Sequence, residues 1–178
     1  MRTRPVLATF LSAAVFAAAN LVGAAPATAG TLDLTCLGSS SATYSTALTA
    51  TSQTVATSRV FDYQPCVSTN APAVISGGLS FGYTAPGFSC MNLLGSGPVT
   101  KTITWNTGQT STITGQRVSS IVGATSITVI TGEITAGLFT GDTVVETETG
   151  AAAPILTCNL GLGTVSALTY TLLLEITS

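Results

Sequence analysis

The chain has 178 residues, of which 5 are basic, 7 acidic and none histidine, so that only 7 % carry charge, against roughly 25 % in an ordinary globular protein. So small and evenly split a charge excludes an electrostatic footprint on nucleic acid or on an anionic membrane. The missing histidine removes the commonest general base, the Ser-His and Cys-His nucleophile pairs and the commonest metal ligand, and with them most enzyme designs.

Arg2 and Arg4 precede an uncharged run from Pro5 to Val22, and Gly23 to Ala29 is a small-residue stretch ending in an A-x-A site before Gly30. Residues 1–29 therefore read as a secretory signal peptide and residues 30–178 as one secreted domain. No cysteine stands at the processing point, where a lipoprotein needs one, and Leu172 to Glu175 offers no second span. The expected location is extracellular, with no membrane partner. Processing leaves Arg59, Lys101 and Arg117 against 7 acidic residues, a net charge of −4. Thr and Ser supply 47 of the remaining 149 residues, a composition that suits strands, since threonine is β-branched and its hydroxyl can face water.

Alternation of apolar and polar residues recurs along this region, and helical periodicity does not. Leu32, Leu34 and Cys36 alternate with Thr31, Asp33 and Thr35. Val55, Thr57, Arg59, Phe61 and Tyr63 form one face of a second run, and Leu79, Phe81 and Tyr83 one face of a third. Further runs cover 99–105, 109–122, 125–136, 142–149 and 164–176. In the last, Leu168, Tyr170, Leu172, Leu174 and Ile176 share a face and mark the clearest core element. About eight strands separated by Gly, Pro, Asn and Ser clusters predict an all-β fold, a single antiparallel β-sandwich. One hairpin is predicted in register. If Asn106-Thr107-Gly108 is a loop with Gly108 in the left-handed region, Trp105 pairs with Gln109, Ile103 with Ser111 and Lys101 with Ile113.

Four cysteines, Cys36, Cys66, Cys90 and Cys158, point to two disulfides in an exported chain. Three connectivities are open. Cys36 with Cys66 and Cys90 with Cys158 is preferred, because each pair then staples one half of the chain. Without a CxxC spacing or a histidine, the four do not read as a zinc site.

Gly78-Leu79-Ser80-Phe81-Gly82 matches G-x-S-x-G, but an alternating strand runs through it and no histidine exists to take the serine proton. A Ser-Lys pair with Lys101 lacks the S-x-x-K spacing. Gly161-Leu162-Gly163 has no third glycine and no predicted helix after it, so it carries no phosphate site. No catalytic residue is expected. Asp142, Glu146 and Glu148 lie at even spacing in one predicted strand and can share a face. That face is a candidate calcium site, or a solvated row of charges that discourages edge pairing. Trp105, beside its hairpin loop, and Tyr83 are candidate ligand-facing aromatics, as on sugar-stacking platforms.

Cys90, Trp105 and Cys158 resemble the Cys…Trp…Cys pattern of immunoglobulin domains, although Leu156 stands where the corner motif has tyrosine. The stretches Thr102 to Ser111 and Gly137 to Asp142 resemble small, Thr-rich secreted proteins of high-GC Gram-positive bacteria. That resemblance implies an immunoglobulin-like sandwich and no particular activity. The secreted, acidic, four-cysteine style is also similar to that of the antitumour chromoprotein apoproteins. The leading expectation is a non-enzymatic extracellular module for interaction or surface structure, without cofactor, whose partner is an extracellular protein or glycan. A carbohydrate- or small-ligand-binding module and a secreted enzyme inhibitor are the alternatives.

Overall fold

The computed structural model describes residues 30–178, and the signal-peptide reading falls on residues outside that range. Eight antiparallel strands follow one another around a closed barrel in sequence order. They are β1 (Leu32–Leu48), β2 (Gln53–Ser68), β3 (Gly77–Phe88), β4 (Gly95–Trp105), β5 (Thr110–Val122), β6 (Thr125–Gly137), β7 (Thr143–Ala151) and β8 (Val165–Thr177). A 3-10 turn at Cys90–Leu93 joins β3 to β4, and a short helix, α1 (Ala153–Asn159), joins β7 to β8.

The eight predicted runs thus become eight strands, but they do not form a sandwich. Strand β1 pairs with β2 along one edge and with β8 along the other, from Leu32 opposite Thr177 to Leu48 opposite Val165. That pairing closes the sheet on itself and leaves no two faces to stack, so the immunoglobulin-like expectation is corrected to an up-and-down barrel. A register-paired glycine couple helps the sheet turn. Gly115 on β5 lies opposite Gly132 on β6, and a Cβ on either would come within 2.2 Å of a carbonyl oxygen of the neighbouring strand. Paired glycines of this kind mark a tight bend at a barrel corner.

The β4–β5 hairpin has the predicted register. Trp105 N–H donates to the Gln109 carbonyl at 2.9 Å, Ile103 faces Ser111, Lys101 faces Ile113, and Gly108 has φ +81°. Around the barrel, outward positions such as Thr102, Thr104, Thr114, Thr131 and Thr171 are exposed hydroxyls, while their neighbours turn inward and are buried. Exposed apolar residues, among them Val60, Val67, Val118 and Val145, stand between these hydroxyls. No helix among the described residues is long and apolar enough to cross a membrane.

The lumen has an apolar floor, an apolar roof and a polar middle. Leu34, Tyr63, Ile103, Trp105, Ile113 and Leu174 belong to the cluster at one end. Ala42, Leu48, Val55, Ile155 and Val165 belong to the cluster at the other, where α1 and the 3-10 turn meet. Both disulfides have the preferred pairing. Cys36–Cys66 bridges directly opposed residues of β1 and β2, and Cys90–Cys158 ties the 3-10 turn to α1. Helix α1, absent from the periodicity reading, is only 7 residues long, with Pro154 in its first turn, a position at which proline is favoured.

Candidate functional site: a charged lumenal cavity

On β2, the inward residues between the two apolar clusters are Thr57 and Arg59; on β5 they are Arg117 and Ser119; on β7 they are Glu146 and Glu148. The lumen therefore receives every cation of the described residues, Arg59, Lys101 and Arg117, and two of the seven acids. Burying a charge is costly unless it is paired, and two pairs form. Lys101 Nζ lies 2.5 and 2.6 Å from the two Glu146 oxygens, and the Tyr63 hydroxyl, accepting from Lys101 at 3.1 Å, donates to Glu146 at 2.9 Å. Arg59 Nη2 donates to Glu148 Oε2 at 2.8 Å, and Ser40 Oγ donates to the same oxygen at 2.7 Å.

Arg117 has no carboxylate partner among the described residues; its Nη1 donates to Ser119 Oγ at 2.7 Å. Of the four buried side-chain polar atoms without a partner among the described residues, two belong to this lumen, Arg59 Nε and Thr57 Oγ1, the latter on a residue only 4 % exposed. Burial pushes the Tyr63 phenol well above its ordinary pKa, and the adjoining Glu146 adds to the rise. Burial likewise raises Tyr44 and Tyr170, against the pull of Arg59 and Arg117 near both. All three phenols stay neutral and can donate.

Of these groups, Thr57, Arg59, Lys101, Arg117, Glu148, Tyr44 and Tyr170 line a cavity of about 310 Å³ that also receives Phe61, Phe81 and Tyr83. The three rings form a ladder with Phe61–Phe81 centroids at 6.2 Å and Phe81–Tyr83 at 6.3 Å, their planes within 20° of parallel. Arg59 Cζ stands 4.9 Å and Lys101 Nζ 4.4 Å from the Phe61 centroid, so cations cover its faces. The ladder rises from buried Phe61 to Tyr83, 47 % exposed. It reaches solvent because β3 and β4 pair only at Gly77–Trp105 and Gly78–Thr104. Beyond Gly78 the two strands part, and the cavity opens through that seam between Phe81 and Tyr83 on one side and Pro98 and Val99 on the other.

The candidate residues read from the sequence are placed as follows. Tyr83 lines the cavity mouth. Trp105 does not; it is 2 % exposed in the core, its Nε1 donating to Ser111 Oγ at 2.8 Å. Asp142, Glu146 and Glu148 are not brought together. The two glutamates point inward and are held by Lys101 and Arg59, which corrects the solvated-face reading. Asp142 precedes β7 and neighbours Asp33 of β1; its pKa is raised by burial and by that second carboxyl. Among the described residues, no group of three or more His, Cys, Asp or Glu is placed to hold a metal. Ser80 of the G-x-S-x-G stretch faces outward on β3, away from Lys101. Sequence reasoning missed Arg59, Arg117 and Thr57 as site residues. The signal was their place on inward-facing parity with Val55, Phe61 and Ile113.

No protein-family model, no curated protein and no solved structure matches this chain.

Proposed function

We propose that the chain is a secreted, non-enzymatic protein that binds one small organic molecule in the barrel lumen. The observation that carries this reading is the cavity itself: about 310 Å³, open at the β3–β4 seam and lined by polar atoms that have no protein partner. An eight-stranded barrel is just wide enough to be filled by side chains or to hold one small ligand, and the volume lies at the small end of ligand pockets. Buried polar atoms are normally satisfied, so Thr57 Oγ1 and Arg59 Nε are places for a ligand's acceptors. The sequence has no histidine, and both lumenal glutamates are engaged by cations, which favours binding over acid–base chemistry. Two disulfides and the leader-like first 29 residues support an oxidising, extracellular destination.

The test is a fluorescence titration of the purified protein with the neutral probe N-phenyl-1-naphthylamine. Saturable one-to-one binding is expected, lost in Val99→Trp, which plugs the seam while the melting temperature stays unchanged. Absence of saturable binding to the wild-type protein, or full binding to the folded plugged variant, refutes the reading.

A further inference from the structure

We infer that the lumen takes a flat aromatic or conjugated molecule carrying a single carboxylate, anchored on Arg117; this rests on the small-molecule reading above and names the ligand's class.

Charge balance is the first support. The cavity wall holds three cations and one acid, Glu148, which is held by Arg59; Lys101 is held from behind the wall by the fully buried Glu146. The other acids, Asp33, Asp62, Glu133, Asp142 and Glu175, do not line it. One positive charge, that of Arg117, is left over. A neutral ligand leaves it uncompensated, and a dianion overshoots it. A monoanion balances it. The guanidinium offers a planar fork that matches a carboxylate in two parallel hydrogen bonds, and Ser119 Oγ takes only one of its donors.

The second support is independent of charge. The two unpartnered atoms on the wall are Thr57 Oγ1 and Arg59 Nε. Arg59 Nε carries a hydrogen and can only donate, and the threonine hydroxyl can donate too. A ligand end rich in acceptors satisfies both, and an ammonium group or a hydrocarbon satisfies neither donor. The third support fixes the body. Phe61, Phe81 and Tyr83 are stacked in one tilt from the buried wall to the seam, with Val99 across the opening. A flat slot of this kind matches a planar ring system inserted edge-first, with its carboxylate leading.

The experiment is calorimetric titration of the purified protein with 2-naphthoate and with 2-naphthamide, which has the same shape and no charge. Naphthoate is expected to bind at least about tenfold more tightly, the scale of one hydrogen-bonded charge pair. Arg117→Gln should weaken naphthoate far more than naphthamide, bringing the two close together, and Arg117→Lys, which keeps the charge and loses the fork, should fall between. If Arg117→Gln fails to fold, the wild-type ratio still decides. Naphthamide binding as tightly as naphthoate overturns the carboxylate inference and leaves the small-molecule reading standing; so does an Arg117→Gln variant that binds both like the wild type. Binding of neither compound overturns both.

Discussion

Replacing Lys101 with methionine keeps most of the side-chain volume and removes the charge that faces Glu146. Glu146 is 0 % exposed, and its two oxygens now accept from Lys101 at 2.5 and 2.6 Å and from the Tyr63 hydroxyl at 2.9 Å. After the substitution only the Tyr63 donor remains. Removing one partner of a buried ion pair costs about 3–5 kcal/mol, which for a domain of this size lowers the melting temperature by about 6–20 °C. The double variant Lys101→Met, Glu146→Gln removes both charges and leaves Tyr63 an acceptor, so it should recover most of the loss and stay within about 1–2 kcal/mol of wild type. Urea unfolding followed by far-UV circular dichroism, with both disulfides intact, measures all four corners of the cycle. A single Lys101→Met loss below about 1 kcal/mol, or a double variant as damaged as the sum of the singles, refutes the buried-pair account.

Further outcomes follow from particular contacts. Gly115→Ala should cost about 1–3 kcal/mol in urea unfolding by overpacking, because its Cβ would meet the Thr131 carbonyl oxygen at 2.2 Å. Gly97→Ala, with nothing within 4 Å, should change stability by no more than about 0.5 kcal/mol. Replacing Cys90 and Cys158 together by serine opens a loop of 68 residues and should cost up to about 4.4 kcal/mol by calorimetry. For Asp142, burial and the Asp33 carboxyl raise the folded-state pKa above 3.8. The folded state therefore holds that proton more tightly than the unfolded chain, and stability falls as pH rises through the folded value. Asp142→Asn should melt at the same temperature as wild type near pH 3, where the Asp142 carboxyl is protonated and uncharged like the amide, and higher near pH 7.

Strand positions were legible from alternation because period 2 shows directly which residues share a face. The β4–β5 register was legible for a stronger reason: only the loop with Gly108 in the left-handed region puts Ile103, Trp105 and Ile113 on one side. Barrel closure was not, since alternation says that a face is buried and not what lies across from it. Closure is decided by Leu32 to Leu48 pairing with Val165 to Thr177, at a separation no local pattern spans. The same limit hid the site. Glu146 and Glu148 look like a solvated row until their partners, 45 and 89 residues away, are known. A usable clue was present on the basic side. Arg59 shares the face of Val55, Phe61 and Tyr63, and Lys101 that of Ile103 and Trp105, so those cations belonged inside if the apolar residues did. Trp105 next to a loop suggested exposure, but its Ser111 partner faces inward across the hairpin, and the indole turns into the core.

A lumen with no role beyond stability has little reason to keep its polar middle layer, because a buried ion pair replaced by well-packed apolar residues is often as stable or more so. Thr57 tests this within one residue. Its hydroxyl is buried with no partner, and leaving such a group unsatisfied costs about 1–3 kcal/mol. Thr57→Val removes the hydroxyl at nearly constant volume. In the ligand-free protein it should be neutral or stabilising by about 1 kcal/mol in urea unfolding. The same variant should bind 2-naphthoate more weakly, since the donor that the ligand's carboxylate would engage is gone. Gain of stability with loss of affinity is the signature of a polar group kept for a ligand. A Thr57→Val variant destabilised by more than about 1 kcal/mol would mean that the hydroxyl is satisfied within the protein, and the orphaned donors could then no longer be assigned to a bound molecule.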